Sequence, residues 1–304
     1  MDPAVSLAAS IEAVGAVAVS LLGLYTLAEL ALVHFGRHAL RWPETRMSLL
    51  GILSQGFAGG VFGRLAGPLT VAIGASAGGK TALFESGLGP LWWVYGLIVY
   101  EFFYWLQHWA AHKVRLLWCI HSPHHAPGGI HMAIGANHSF LETLFYFPLF
   151  LGFLPALFGV HPLVVVAINL LDVVWGSFLH ISDQVVPGGR YGLLESVLQT
   201  PSHHRVHHAQ NVRYRDTNYN SITLLWDWLM GTLQPLRSDE PVEYGITRNV
   251  DTGSFWDVHF GEFRELWHDL RAASTAGEAC GYLLRAPGWQ PGDTSQTASA
   301  LKAR

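Results

Sequence analysis

Eight histidines stand in three clusters whose spacing suits metal ligation. His108 and His112 are four residues apart. On a helix that spacing puts both imidazoles on one face, with Cβ atoms about 5–6 Å apart, close enough to share an ion. His121, His124 and His125 form an HxxHH pattern, and His204, His207 and His208 repeat it directly after His203. In each HxxHH the first residue lies one helical turn below the last two, so three nitrogens can converge. A zinc site takes about four ligands, and a catalytic one fewer from the protein. Eight imidazoles therefore imply two metals, and imidazole suits iron as well as zinc. Lone residues such as His34, His38, His259 and His268 have no such neighbours and read as packing or surface histidines.

The elements that must position these clusters are apolar. Half of the 304 residues are hydrophobic and only 13% are charged, against about 25% in an ordinary soluble domain. A bilayer is the solvent this composition fits. Twelve Trp and ten Tyr suit interfacial belts. The net charge of -4 gives no sign of nucleic-acid binding. Cys119 and Cys280 are too few for a disulfide framework.

Residues 4 to 33 are almost continuously apolar, interrupted by Glu12 and Glu29, and follow Met1-Asp2-Pro3 rather than the basic start of a secretory signal. They read as a retained span, since about 20 residues cross a bilayer of ~30 Å. Residues 47 to 75 form a second apolar segment, rich in Gly and weakened by Arg64. Residues 91 to 107 make a third that runs into the first histidines, and 143 to 159 and 162 to 179 make two more. Lys and Arg near span ends mark the cytoplasmic side. Five crossings with the N-terminus outside place Arg37, Arg41, Arg46, Lys113, Arg115, Arg205, Arg213 and Arg215 there. Four crossings do so only if the second segment is re-entrant. Both arrangements put the histidines in the cytoplasm.

The stretch from Tyr104 through His108 to His112, then His121-Ser122-Pro123-His124-His125, then His204-Arg205-Val206-His207-His208, resembles the three histidine boxes of the fatty acid hydroxylase/sterol desaturase superfamily. Thr200 to His208, Asp216-Thr217-Asn218-Tyr219, Trp226-Asp227, Gly231-Thr232 and Tyr244 to Thr247 resemble the branch that contains alkylglycerol monooxygenase and its bacterial relatives. The resemblance runs from about residue 95 to 250. It implies two iron ions that activate O2 and abstract hydrogen from an unactivated C–H bond of a lipid, held by the eight clustered histidines. His180, in Phe178-Leu179-His180, matches a further ligand position. His138 sits where the family often carries an Arg-containing motif, which Asn137 breaks. It is a ligand, a group behind the ligands, or a histidine on the substrate side. His203 departs from strict ligand spacing and belongs behind the ligands.

Ligating imidazoles usually give their other N–H to a carboxylate or carbonyl, so Asp216 and Asp227 are candidate orienters, with Asn218 beside them. Glu101 would be costly facing lipid. It lies seven positions before His108 and so shares roughly its face, pointing toward the site.

Rival classes fit less well. Gly74 to Thr81 satisfies the P-loop pattern GxxxxGK[ST], and Gly74 to Gly78 a nucleophile-elbow pattern, but nothing supplies the strand–helix context either needs. A small-residue loop between spans accounts for them. No histidine is followed by glutamate, so the zincin signature HExxH is absent. A transporter or metal store would put histidines inside spans or in a flexible tract.

The chain thus reads as an all-α integral membrane protein, with four or five transmembrane helices whose cytoplasmic ends meet a helical cap holding a histidine-rich di-metal site. Residues 1–90 are N-terminal membrane segments, 91–250 the catalytic domain, and 251–304 a helical extension ending in a disordered tail of about a dozen residues. The expected function is lipid hydroxylation, with a lipid desaturase or a membrane zinc hydrolase as alternatives. Fatty acyl chains, lipid head groups, ether lipids, sterols and carotenoids remain open as substrates. Electrons would come from a separate protein of ferredoxin or cytochrome type, or from a reduced pterin, and the location would be a bacterial inner membrane.

Overall fold

The computed structural model describes residues 3–36, 40–60, 64–81 and 87–304, without the side chains of residue 3, 64–67 and 79–81. Arg37, His38 and the side chain of Arg64 therefore lie outside the described residues. The architecture is all-helical. Among the described residues only three isolated β-bridges occur, Leu198 with Thr223, Ala209 with Tyr244 and Gln290 with Asp293.

Helix α1 (Pro3–Ala31) continues into a π-helical turn, Leu32–Gly36. Its one deeply buried carboxyl, Glu29, takes backbone N–H groups of Met132 at 2.7 Å and Ser182 at 2.6 Å. A carboxyl in an apolar helix is tolerated when paired in this way, and the pairing anchors α1 to the loops on both sides of the histidine centre. Within the expected segment 47–75 the described residues form α2 (Trp42–Ala58) and α3 (Arg64–Thr81). The small-residue stretch 74–81 is thus helix rather than loop. A Cβ on Gly74 would meet the carbonyl oxygen of Phe153, and one on Gly78 that of Leu157. The spacing is a GxxxG face that lets two helix backbones approach.

Helix α4 (Pro90–Lys113) starts with Pro at its first turn and ends where Val114 turns extended. That break redirects the chain into α5 (Arg115–His125). After the short α6 (Met132–Gly135) comes an irregular helix with π turns at Glu142–Tyr146 and Pro148–Phe153, closing in α7 (Leu154–Leu157). Pro148 and Pro155 lack the N–H that a regular ladder requires there. Helix α8 (Pro162–Leu179) returns beside α4, and Tyr100, Val160, Val164, Val165 and Ile168 form the main apolar core.

Two helical stretches among the described residues, Ala4–Gly36 and Pro162–Leu179, are long and apolar enough to cross a membrane. Among the described residues the expected segments 47–75, 91–107 and 143–159 hold no helix that meets both criteria, so two of the expected spans stand out by length and apolarity.

Beyond α8, α9 (Pro201–His207) carries the third cluster, α10 (Leu225–Leu229) packs on α4, and α11 (Phe255–Ala272) lies along α5, tied by Arg115–Asp269 at 3.0 Å. Helix α12 (Ala276–Leu284) and α13 (Ala298–Lys302) follow. The last dozen residues, expected as a disordered tail, are folded. Trp289 seats on Gly281 under the Arg285 guanidinium, the chain turns at Gln290–Asp293, and Thr297 caps α13.

Candidate metal centre

The nine histidines are all between 2 and 6% exposed and fall into two groups. His108, His112, His121, His125 and His207 form one; His124, His180, His204 and His208 form the other. Within each group the candidate ligand atoms lie within 4.8 Å of one another. Each HxxHH is divided between them. On α5, His121 and His125 face the five-membered group while His124 turns to the other. At the end of α9 the pattern inverts, with His204 and His208 in the four-membered group and His207 in the first. Residues four apart share a helix face and the residue three along points aside, so the three nitrogens of each motif do not converge on one ion as the spacing had allowed. The groups adjoin: the rings of His125 and His208 stack at 4.4 Å.

Nitrogen positions give a test of whether metals fit. The Nε2 atom of His121 is 3.1 Å from Nε2 of both His108 and His125. In the other group, Nε2 of His180 is 3.2, 2.8 and 3.1 Å from Nε2 of His124, His204 and His208, and His204 and His208 are 3.1 Å apart. Nitrogens bound at about 2.1 Å to a common ion stand roughly 3.0–3.4 Å from each other. Proton placement excludes ordinary hydrogen bonds for the best-defined pair. His108 donates from Nδ1 to the carbonyl of Tyr219, and His121 from Nδ1 to Glu142, each at 2.8 Å. In the neutral ring the other nitrogen is then an acceptor, so two lone pairs face each other at 3.1 Å. His207 donates from Nδ1 to Thr217 O and His180 to Gly176 O, which aims their Nε2 lone pairs inward as well. The buried Nε2 atoms of His112 and His207 find no hydrogen-bond partner among the described residues. Each group can hold a metal ion, and a cation between the nitrogens is what relieves this arrangement.

Burial disfavours the charged form of eight of the nine rings. It pushes His180 and His207 down to about 3, and His108, His112, His124, His125, His204 and His208 well below the ordinary histidine value, with neighbouring imidazoles adding to the effect. The unfolded rings titrate near 6.5, so between that value and about 3 the unfolded chain binds more protons than the folded one. Stability is therefore complete above about pH 6.5 and declines as pH falls toward 3. The thermal midpoint of detergent-purified protein should drop steadily from pH 7 to 5, with metal release over the same range. A flat profile would contradict neutral, buried imidazoles.

The remaining expected residues separate by distance from the centre. Asp216, in the left-handed region at φ 55°, ion-pairs with Lys113 at 2.5 Å and faces Nδ1 of His112 at 3.5 Å. Asn218, also left-handed at φ 56°, ties His203 O and Gln234 together. Asp227 reaches no imidazole. Its oxygens accept the N–H groups of Tyr219 and Asn220 at 2.8 Å, holding the backbone whose carbonyl orients His108. Glu101 does not point at the site either. It accepts from Asn220, Ile222 and Thr223, because the segment after the third cluster passes over that turn of α4. His203 lies outside both groups, with Nδ1 at 3.1 Å from Thr200 Oγ1.

His138 belongs to neither of the two histidine groups but forms a third candidate set with His121 and Glu142. It stacks on His124 at 4.0 Å and gives Nδ1–H to Glu142 at 2.8 Å. Glu142, fully buried, thus receives both His121 and His138. Sequence reasoning passed over it, although a carboxyl four residues after a histidine at the head of an apolar run was a signal. Glu142→Gln keeps the size but replaces one acceptor oxygen by a donor facing an N–H. Loss of such an outer partner costs 10–100-fold in metal affinity or activity, to be read as iron retained after a timed chelator challenge. Tyr219 was also missed. Its ring packs on His108, His112 and His207, and its buried hydroxyl has no hydrogen-bond partner among the described residues.

Beside the five-histidine group a cleft of about 220 Å³ opens to solvent. His112, His125 and His207 form its inner wall with Trp118, Arg215 and Asp216 nearby, and the folded C-terminal segment supplies the opposite wall through Gly288, Gln296 and Leu301.

The sequence is similar to that of known proteins over the same residues. Residues 93–232, which contain all nine histidines, match the family model described as fatty acid hydroxylase. The chain is 34% identical over 205 residues to alkylglycerol monooxygenase of Danio rerio, covering 66% of this chain and 43% of that protein. It is 31% identical over 207 residues to alkylglycerol monooxygenase of Homo sapiens, covering 67% and 44%. It is 30% identical over 161 residues to ornithine lipid hydroxylase OlsE of Rhizobium tropici, covering 53% and 47%. The chain spans less than half the length of each of these relatives. No solved structure matches it.

Proposed function

Residues 93–232 belong to the fatty acid hydroxylase family, and from that premise we propose that the chain is a membrane-bound, O2-dependent di-iron oxygenase that hydroxylates a C–H bond of a lipid. The observation that carries the reading is the pair of adjoining groups, five and four buried imidazoles, whose lone pairs face one another at ligand spacing. Nine nitrogens exceed what one ion takes. An all-nitrogen set in two halves suits iron.

Two iron ions held there would supply activation of O2 and removal of hydrogen from an unactivated C–H bond, with electrons from an external donor, either a separate protein of ferredoxin or cytochrome type or a reduced pterin. The protein's own part is positional. Carbonyls of Tyr219, Thr217 and Gly176 and the carboxyl of Glu142 hold four imidazoles in the tautomer that ligates through Nε2. Burial restricts water at the ligands to the side where His112, His125 and His207 line the cleft. The cleft beside His112 and His207 gives the five-histidine half a route to the aqueous side, and the apolar helices α1 and α8 put the centre within reach of a lipid held in the bilayer. With the histidines on the cytoplasmic side of a bacterial inner membrane, the side that the basic residues near the span ends favour, the head group would stay near water during reaction. The names of the relatives make alkylglycerols and ornithine lipids the first compounds to test.

Metal analysis of detergent-purified protein, with Mössbauer spectra of iron-57-grown material, tests the reading. About two coupled irons per chain and O2-dependent gain of one oxygen by a lipid are expected. Two zincs that persist in iron-rich growth would overturn it and move the chemistry to hydrolysis.

A further inference from the structure

The segment beyond α8 is expected to face water, yet one of its sides carries no accessible charge. The 3-10 turn Gly192–Ser196 and helix α10 expose Leu193 (92%), Trp228 (68%), Val197 (62%), Leu229 (53%), Leu194 (52%) and Met230 (44%). Between residues 192 and 198 the one charged side chain is Glu195, whose oxygens are taken by Ser202, Thr200 and Arg190. Between residues 222 and 234 it is Asp227, which is fully buried and spent on backbone N–H groups. The two pieces are joined, since Leu224 N donates to Val197 O at 2.9 Å and Leu198 bridges Thr223. Large contiguous apolar surface of this kind marks an interaction face.

Its neighbours indicate what covers it. Trp226 donates to the carbonyl of Ile98 at 3.0 Å and packs on Phe102, so the face continues onto the exposed Leu91, Val94 and Ile98 side of α4. At its other end Phe178, in the last turn of α8, packs on Tyr191 next to Gly192, and α8 is one of the helices able to cross a membrane. Between the two pieces a groove of about 370 Å³ runs along Leu97, Val197, Leu225 and Leu233, and the one charged group in its lining, Glu101, is 1% exposed with its carboxyl taken by Asn220, Ile222 and Thr223. We propose that this face is seated in the membrane leaflet, with acyl chains filling the groove and Trp228 at the interface. The catalytic cap would then lie on the bilayer rather than stand away from it. A protein partner would need polar groups to fix its register; the face offers apolar side chains, a Trp at its edge and continuity with lipid-facing helix surface, which is the chemistry of an interfacial segment.

This inference rests on the membrane placement adopted for the function, so the test carries a reference for that placement. The full chain with Cys280→Ser takes a nitroxide at one introduced cysteine, Leu193→Cys, Trp228→Cys or Leu229→Cys. Leu24→Cys on the exposed side of α1 serves as the membrane reference and Arg264→Cys on α11 as the aqueous one. Each is placed in phosphatidylcholine–phosphatidylglycerol nanodiscs, and collision rates with O2 and with a water-soluble nickel chelate are measured. Positions 193, 228 and 229 should match 24, with an O2-to-nickel ratio several-fold above that at 264. If they match 264 while 24 stays lipid-like, the face is aqueous and the inference fails alone. Shielding from both reagents means that another protein surface, a second copy of the chain included, covers the face, and overturns it equally. If 24 itself matches 264, the membrane placement falls as well.

Discussion

His180→Ala and His207→Ala, made separately, should each lower the metal content from two ions per chain to about one and remove lipid hydroxylation by roughly 10³-fold or more, at least about 4 kcal/mol of barrier. The two residues come from different groups, so equal losses mean that both ions act as one unit. Each ring is also fixed by a backbone carbonyl on its far side, Gly176 for His180 and Thr217 for His207. Alanine therefore removes a ligand that no neighbour can replace by rotating. His203→Ala, outside both groups, should retain two metals and is the control for general disturbance of α9. Elemental analysis with an O2-dependent product assay reads all three. Full activity in either His180→Ala or His207→Ala would refute a two-metal centre, and loss in one alone would assign the chemistry to a single group.

Glu101→Ala is expected to be the most destabilising single change away from the histidines, costing about 3–5 kcal/mol. Glu101 is 1% exposed, and its two oxygens receive Asn220 Nδ2, the backbone N–H groups of Ile222 and Thr223, and the Thr223 hydroxyl. Removing the carboxyl strands four buried donors at once, and each unsatisfied group costs about 1–3 kcal/mol. The same segment holds Tyr219, whose carbonyl orients His108, so iron should be lost before the chain unfolds. Glu101→Gln keeps one acceptor oxygen but turns an amide toward those donors, and should lie between wild type and alanine. Thermal unfolding in detergent, followed with iron content, distinguishes the cases. A wild-type midpoint for Glu101→Ala would show that the contacts with residues 220–223 contribute nothing to stability.

The three histidine clusters were legible because ligand spacing on a helix is a local property. Four-residue separation places two rings on one face whatever surrounds the helix. The same argument explains the misreading of HxxHH. Periodicity fixes which residues share a face but not what stands opposite it, and only the packing of α4, α5 and α9 divides each motif between two groups of histidines. Glu101 illustrates the limit from the other side. Its helical phase relative to His108 suggested the metal site, while the segment that meets it arrives from 120 residues away in sequence. The GxxxxGK[ST] pattern at Gly74 lies on a helix with no strand before it among the described residues, and the close helix contact that uses its glycines depends on Phe153 and Leu157, which come from far along the chain.

By itself, then, the sequence determined the apolar all-helical character, the three clusters and the number of imidazoles, since composition and short-range spacing are written in consecutive residues. Tertiary structure alone decided the five-and-four division, the carbonyls of Tyr219, Thr217 and Gly176 that set the tautomers, the use of Glu142 by two rings, and the folding of the C-terminal segment into the wall of the cleft. Each of these depends on backbone atoms or on partners brought together by long-range packing. A carbonyl oxygen has no residue type to read, and the direction of a side chain is settled by what packs against it.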